Sequence, residues 1–152
     1  MMGFSIAVQE ADFDVGTEYQ ALIVGDTRAG AHVLFVGRVR DMNMECPVQG
    51  LFLEHYPGMT EQVLQSLVDD ARKRWELLGV RLIHRVGYLR PGDQIVLVAT
   101  SSAHRAHAFE AAEFLMDLLK TKAPFWKKEH SSGGAVWLES RAQDNEAGKR
   151  WL

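Results

Sequence analysis

Cysteine, proline and long apolar runs are scarce in this sequence. Its 152 residues include one cysteine and four prolines, so an internal disulfide framework is impossible, which fits a reducing compartment. No stretch approaches the ~18 apolar residues of a membrane span. Residues 1–9 lack the basic and apolar regions of a secretory signal peptide. We therefore expect a cytoplasmic protein that does not cross a membrane.

An excess of positive charge is also lacking. The formal net charge is −3, which argues against a general affinity for nucleic acid. The six histidines show no metal-site spacing, and neither a glycine-rich phosphate loop nor a Ser-His-Asp signature is present. We therefore expect no metal and no cofactor. The 47% hydrophobic content is that of an ordinary globular protein, and the length predicts one domain over residues 1–152.

Hydropathy patterns and chain breakers predict a mixture of helices and strands. Residues 41–47 are expected to form a loop, Thr60 to cap the second helix, and the turn at 90–93 to join two strands as a hairpin. Because strands and helices do not alternate strictly, the pattern favours an α+β fold with a largely antiparallel sheet. The predicted strands cover residues 4–8, 31–40, 50–56, 80–89, 94–101, 125–130 and 135–139, and the predicted helices cover 15–24, 60–79 and 103–122.

Two of these helices carry an apolar stripe that a core would bury. Pro124 ends the later helix, because proline cannot continue it and also restricts the preceding residue. The stripe of the earlier helix consists of Val63, Leu64, Leu67, Val68, Ala71 and Trp75, and that of the later one of Ala108, Phe109, Ala112, Leu115, Met116 and Leu119.

Two arginines mark the end of the predicted strand 31–40. Arg38 and Arg40 are two residues apart, so on a strand they point to the same face at a separation of about 6–7 Å. Two guanidinium groups at that spacing suit a phosphate or a carboxylate. The alternative is a solvated strand end without a ligand.

His104 and Arg105 lie where a strand hands over to the helix 103–122. The exposed backbone N–H groups and the positive end of the helix dipole favour anions there. Cations are disfavoured at that position, so two in succession indicate an anion bound between them. The alternative is that both side chains face water.

Two lysines flank the break at Pro124. Lys120 continues the helical row of Ala112 and Met116, so we expect its amine to be partly desolvated. Lys127 follows in an extended segment that can fold back toward Lys120. Neighbouring ammonium groups, one of them half-buried, lower each other's pKa, as a lysine base or nucleophile requires. The alternative is compensation of the helix dipole followed by a solvated run of charge.

Two further residues, Lys128 and Cys46, are considered as functional candidates. Lys128 alternates with Lys127 along the predicted strand, so it is expected to face the other way together with Trp126. Cys46 lies in a polar segment beside a proline and has no adjacent histidine. We therefore do not expect a catalytic thiol.

These segments together resemble the large, catalytic subunits of molybdopterin synthase. The resemblance runs in order over nearly the whole chain, from about Phe4 to Trp151, and the segment around Ala-Pro-Phe-Trp with its lysines is highly specific. The matching segments are 35–40 (FVGRVR), 53–59 (LEHYPGM), 84–87 (HRVG), 91–93 (PGD), 102–105 (SAHR) and 119–129 (LKTKAPFWKKE).

The resemblance implies an α/β hammerhead type of fold and a homodimer that binds one small ubiquitin-like sulfur carrier per protomer, a heterotetramer overall. The carrier ends in Gly-Gly, held as a thiocarboxylate, and the substrate is cyclic pyranopterin monophosphate. Two rounds of sulfur transfer then give molybdopterin, with no metal required because thiocarboxylate sulfur is already nucleophilic. The implied catalytic residues are Lys120 and Lys127, and the implied substrate-binding residues are Arg40, His104 and Arg105, with Arg38 and Lys128 as neighbours.

Two other functions use the same residues. A non-catalytic adaptor would bind a ubiquitin-like tail through the lysines alone. A Schiff-base enzyme would use Lys120 on a phosphorylated carbonyl compound. The resemblance also assigns both ends of one helix to one substrate, although Arg105 and Lys120 are about 22 Å apart at 1.5 Å per residue. We therefore expect His104 and Arg105 to reach the site from a second protomer.

Overall fold

A computed structural model describes residues 3–43, 46–131, 134–138 and 142–151. Its elements form two β-sheets with helices packed against the first. In chain order they are β1 (Phe4–Gln9), α1 (Val15–Ile23), β2 (Ala31–Arg38), β3 (Met42–Asn43), β4 (Cys46–His55), α2 (Met59–Arg74), β5 (Gly79–Arg85), β6 (Gly87–Leu89), β7 (Gln94–Ser102), α3 (Arg105–Lys122), β8 (Phe125–Ser131), β9 (Gly134–Leu138) and α4 (Ala142–Lys149).

The first sheet has the strand order β1-β5-β7-β2. β5 and β7 pair antiparallel, and β2 runs antiparallel to β7 on its other side. The predicted hairpin is therefore correct in the pairing of its two arms, but the turn at 90–93 joins β7 to β6, which pairs with β4 in the other sheet. β1 pairs parallel with β5. The α+β class with mostly antiparallel pairing is therefore confirmed, with one parallel pair at the edge of this sheet.

The second sheet forms around the long strand β4. β8 pairs antiparallel with β4, and β9 pairs antiparallel with β8, which confirms the predicted last pair of strands. β6 also pairs with β4, through Leu51 opposite Leu89. Lys127 and Lys128 therefore lie on β8 of this sheet, a strand that begins three residues after the end of α3.

The main core lies between the first sheet and the helices α2 and α3. The predicted stripe of α2 is buried there at Leu64, Leu67, Val68 and Ala71, with Val63 and Trp75 partly buried. α1, with Leu22, and the segment before it, with Phe13, cover the opposite face of the sheet. A separate cluster, with Leu53 and Leu89 at its centre, lies in the second sheet.

Three local predictions were wrong. Residues 41–47 include β3, which pairs with the beginning of β4, so this segment is not a simple loop. Thr60 lies inside α2, where its hydroxyl donates to the Tyr56 carbonyl at 2.8 Å. The N-cap position belongs to Gly58, whose N–H donates to the Glu61 carboxylate at 2.7 Å. Phe109 was assigned to the buried stripe of α3 but is 62% exposed.

The predicted strand 80–89 is divided in two. β5 ends at Arg85, and Gly87, the first residue of β6, adopts φ +88°. A side chain disfavours that backbone conformation, whereas glycine adopts it readily. The chain can therefore leave the first sheet at this residue and join β4 in the second.

Among the described residues, no helix has both the length and the apolar composition that a membrane crossing needs.

Candidate functional site

Lys120 and Lys127 meet at one pocket because the chain turns sharply between them. α3 ends at Lys122, and Ala123 is extended (φ −74°, ψ 136°), as expected for a residue before proline. β8 then begins at Phe125, which lies opposite His55 of β4. Both lysines line a cavity of about 380 Å³. The predicted fold-back across Pro124 is therefore confirmed.

This cavity, called here the lysine pocket, lies where the first sheet, α3 and β8 meet. Its volume is within the range usual for sites that bind small molecules. Its apolar wall includes Phe35, Ile95, Met116, Leu119 and Phe125, and its polar lining consists of Arg38, Arg40, His84, Lys120, Lys127, Glu129 and Asp144.

The two arginines enter the pocket from the end of β2. Val39 between them is 6% exposed, and its N–H donates to the Asp93 carbonyl at 2.9 Å. Arg38 and Arg40 both line the pocket, as does Val39 between them. β2 ends at Arg38, so Arg40 reaches the pocket from beyond the strand, and the predicted alternation of a strand does not account for its position. Arg38 also donates from Nε to the Gly92 carbonyl at 2.9 Å, which ties its guanidinium to the turn at 90–93.

The surroundings of Lys120 differ from the prediction. Met116 and Lys120 lie on the same side of α3 and both line the pocket, but Lys120 is an exposed residue. The expectation of a half-buried amine was therefore wrong. Lys120 is in the last turn of the helix, where its stem passes the rim of the core instead of entering it.

Lys128 lies outside the lysine pocket. Its amine is 5.4 Å from the centre of the Trp137 ring on β9, whereas the neighbouring Lys127 lines the pocket. The predicted alternation of the two lysines along β8 is confirmed. Trp126, 46% exposed, is likewise not among the residues that line the pocket.

His104 and Arg105 are at the opposite end of α3. His104 is the N-cap residue and Arg105 the first helical residue, so the predicted handover from strand to helix is confirmed. The ring of His104 lies 3.3 Å from the Glu76 carboxylate, an anion that the chain itself supplies. Within the described part of one protomer, neither residue lines the lysine pocket.

His84 is a pocket residue that the sequence analysis did not assign to the site. It is 3% exposed, and its ring stacks on Phe125 with centroids 3.8 Å apart. Burial, together with the nearby ammonium groups of Lys127 and Lys120, lowers the pKa of His84 to about 3. The ring is therefore neutral at physiological pH.

Two acidic residues of the pocket, Glu129 and Asp144, also escaped prediction. Glu129 lies two residues after Lys127 on β8, so its place on the same side could have been found from the strand period. Asp144 lies on α4, and nothing in the local sequence indicates that it would line the pocket. Among the described residues, no group of three histidine, cysteine or acidic side chains is arranged to hold a metal ion.

Comparison with known proteins identifies the family. The family model described as MoaE protein matches residues 8–122. The molybdopterin synthase catalytic subunit of Vibrio cholerae is 55% identical over 150 residues, which cover 99% of each chain.

Solved structures agree with this assignment. The molybdopterin biosynthesis MoaE protein from Burkholderia ambifaria has a TM-score of 0.83 and 47% identity, with 97% of each chain covered. A protein–protein complex of subunits 1 and 2 of molybdopterin-converting factor from Helicobacter pylori has a TM-score of 0.73 over 91% of each chain. Its identity is 22%, so it shows likeness of fold alone. From the family model and the relative that matches over nearly its whole length, we conclude that the chain belongs to the MoaE family, the catalytic subunits of molybdopterin synthase.

Proposed function

We propose that the lysine pocket is where sulfur passes from the thiocarboxylated tail of a small carrier protein to cyclic pyranopterin monophosphate. As a member of its family, the chain is an enzyme of molybdopterin formation. The observation that carries the proposal is the meeting of Lys120 and Lys127, from opposite sides of Pro124, with Arg38 and Arg40 in one cavity.

The charge of the pocket suits two anionic reactants. Its described lining has four cationic side chains and two carboxylates, although the whole chain is acidic. Guanidinium groups bind phosphate through paired hydrogen bonds, and ammonium groups serve as compact positive charges. We therefore assign the phosphate to Arg40, with Arg38 beside it, and the carrier's terminal carboxyl group to Lys127.

Lys120 is the principal catalytic group in this proposal. The thiocarboxylate sulfur attacks the pterin side chain, the cyclic phosphate opens, and water then hydrolyses the acyl link to the carrier. Lys120 acts in these steps as an acid–base or covalent group, and Lys127 tunes it. A second loaded carrier repeats the sequence, so both sulfurs of the product come from carrier chains.

The assembly that we propose is a homodimer with one carrier bound to each protomer. His104 and Arg105 of one protomer complete the pocket of the other, since the length of α3 separates them from the pocket of their own chain. The 55% identical relative is named the catalytic subunit of molybdopterin synthase, which supports a second kind of subunit as partner. We assign the protein to the cytoplasm and keep Lys128 as a residue beside the path of the carrier.

A single-turnover assay with thiocarboxylated carrier tests the catalytic assignment. Lys120→Ala should slow product formation by about 10²- to 10⁴-fold, the usual contribution of an acid–base group, and should still fold, because the side chain is exposed. Lys122→Ala is the matched control, since Lys122 is exposed on the same helical turn and does not line the pocket. If Lys120→Ala keeps a turnover near that of the wild type, Lys120 has no catalytic role and can serve only to bind the carrier.

A further inference from the structure

His84 is the buried titratable group of the lysine pocket for which the proposed mechanism has no role. It lies on β5 in the same row as Val80 and Leu82, which are fully buried on the face that α2 and α3 cover. Unlike those residues, His84 also lines the pocket. A leucine or valine would continue the apolar row, so an imidazole at this position needs an explanation.

One nitrogen of the ring is committed to the backbone. Nδ1 lies 2.7 Å from the Arg85 carbonyl oxygen, which can only accept, so Nδ1 carries the proton. The ring is neutral, because its pKa is lowered to about 3, mainly by burial. In a neutral imidazole with the proton on Nδ1, the other nitrogen, Nε2, carries a lone pair and accepts hydrogen bonds.

The pocket is the only open direction for that acceptor among the described residues. The hydrogen bond that His84 makes to the described residues is the one at Nδ1, yet no buried side-chain nitrogen or oxygen of the described part of the chain lacks a partner. Nε2 is therefore not fully enclosed, and the cavity that His84 lines is where it meets solvent or a ligand. The stacked ring of Phe125 sets the plane of the imidazole, and the hydrogen bond at Nδ1 sets its rotation within that plane, so together they fix the direction of the lone pair.

The acceptor differs from the other polar groups that surround the carrier's tail in the proposed function. Lys120 and Lys127, the charged groups that act most strongly on the ring, are donors and suit the terminal carboxyl oxygens or sulfur. They cannot bind the amide N–H of the last glycine, which is separated from the carboxyl carbon only by Cα. A neutral acceptor close to the two amines would bind that N–H. A carboxylate in that place would repel the tail's own terminal charge.

We propose that Nε2 of His84 accepts a hydrogen bond from the amide N–H of the last glycine of the carrier's tail, and so holds the terminal group between Lys120 and Lys127. This inference rests on the proposed function, because it requires the carrier's tail to enter the lysine pocket. It makes His84 a tail-binding residue and gives it no part in proton transfer. Since a neutral hydrogen bond contributes about 0.5–1.5 kcal/mol, its loss should weaken binding by roughly 2- to 13-fold.

The test combines variants of His84 with a chemically altered carrier. Carrier ending in Gly-Gly as the carboxylate is compared by calorimetry with carrier whose last glycine is N-methylated, which removes the N–H donor. His84→Phe keeps a stacked ring and loses the acceptor, whereas His84→Asn keeps a short amide donor toward the Arg85 carbonyl and loses the distal acceptor. His130→Phe, a histidine of β8 that does not line the pocket, is the matched control.

The wild type and His130→Phe should bind the N-methylated carrier more weakly than the normal carrier, because the hydrogen bond to His84 is lost in addition to any steric effect of the methyl group. In His84→Phe and His84→Asn, normal carrier should bind about 2- to 13-fold more weakly, and N-methylation should add only the steric penalty of the methyl group. If His84→Phe does not fold, His84→Asn carries the comparison.

An N-methylation penalty that is the same in all four proteins would overturn the inference. So would a change in the KM for the pterin substrate with unaltered carrier affinity, since the ring would then contact the pterin. Failure of the proposed function gives a different result. In that case the wild type does not bind the carrier through its tail, or Lys120→Ala retains turnover.

Discussion

Mixing two inactive variants should restore activity if each site is shared by two protomers. α3 is continuous from Arg105 to Lys122, so Arg105 and Lys120 are separated by about 22 Å along the helix axis. A sphere with the volume of the lysine pocket, 380 Å³, is only about 9 Å across. One small substrate therefore cannot contact both residues in the same chain, whereas a two-fold dimer can bring the start of one α3 beside the end of the other.

The expected recovery follows from the statistics of pairing. Arg105→Ala and Lys120→Ala chains are mixed in equal amounts and allowed to exchange subunits. Random pairing makes about half of the dimers mixed, and each mixed dimer has one intact site of two. The mixture should therefore reach about a quarter of the wild-type turnover per site, measured as product formed from thiocarboxylated carrier.

A mixture of Lys120→Ala and Lys127→Ala is the matched control. Both lysines line the same pocket of one chain, so every site in that mixed dimer lacks one amine and no activity should return. If heterodimers of Arg105→Ala and Lys120→Ala form, as native mass spectrometry would show, and remain inactive, the composite site is wrong. Recovery in the control mixture would also refute the reasoning, because it would place the two lysines in different sites.

Three further predictions concern chemistry and stability. Cys46→Ser should keep wild-type turnover in the same assay, because the sulfur comes from the carrier; loss of activity in a folded variant would count against the mechanism. Phe114→Ala, which removes a fully buried ring packed against Trp75 and Trp151, should lower the free energy of unfolding in urea by about 3–5 kcal/mol. Phe109→Ala, at a residue 62% exposed, should change it by less than about 0.5 kcal/mol, and equal losses would contradict the assigned core. The free energy of unfolding should also fall as the pH drops from 6.5 toward about 3. In this range the unfolded chain binds a proton on His84, whereas the buried ring does not bind one until its lowered pKa is reached. In urea titrations, His84→Phe should show a shallower decline of this free energy between pH 7 and pH 5, and an unchanged slope would mean that the ring is not held neutral.

Local periodicity was sufficient for much of the fold. The row of Ala108, Ala112, Leu115 and Leu119 predicted the buried face of α3, because residues three and four apart share one side of a helix. Pro124 predicted the end of that helix, since proline excludes the next turn. The two-residue period of a strand likewise separated Lys127 from Lys128.

Local patterns failed where a residue's place depends on its partners. The apolar run 80–89 has the composition of one strand, but β6 leaves at Gly87 because β4 offers it a second edge with which to pair. Phe109 is apolar and lies on α3, yet no element of the described chain covers it. Neither the switch between sheets nor the missing cover is encoded within a few residues.

Residue order and short-range periods were enough to identify the family, the α+β class and the candidate lysines and arginines. That Arg38, His84, Lys120 and Lys127 line one cavity is visible only in the folded chain. Their meeting depends on the strand order β1-β5-β7-β2 and on the pairing of β8 with β4, and both join segments far apart in the chain. The neutral state of His84 has the same origin. A histidine in the sequence has an ordinary pKa, and its proton is excluded only when Phe125, the core and the two ammonium groups are packed around it.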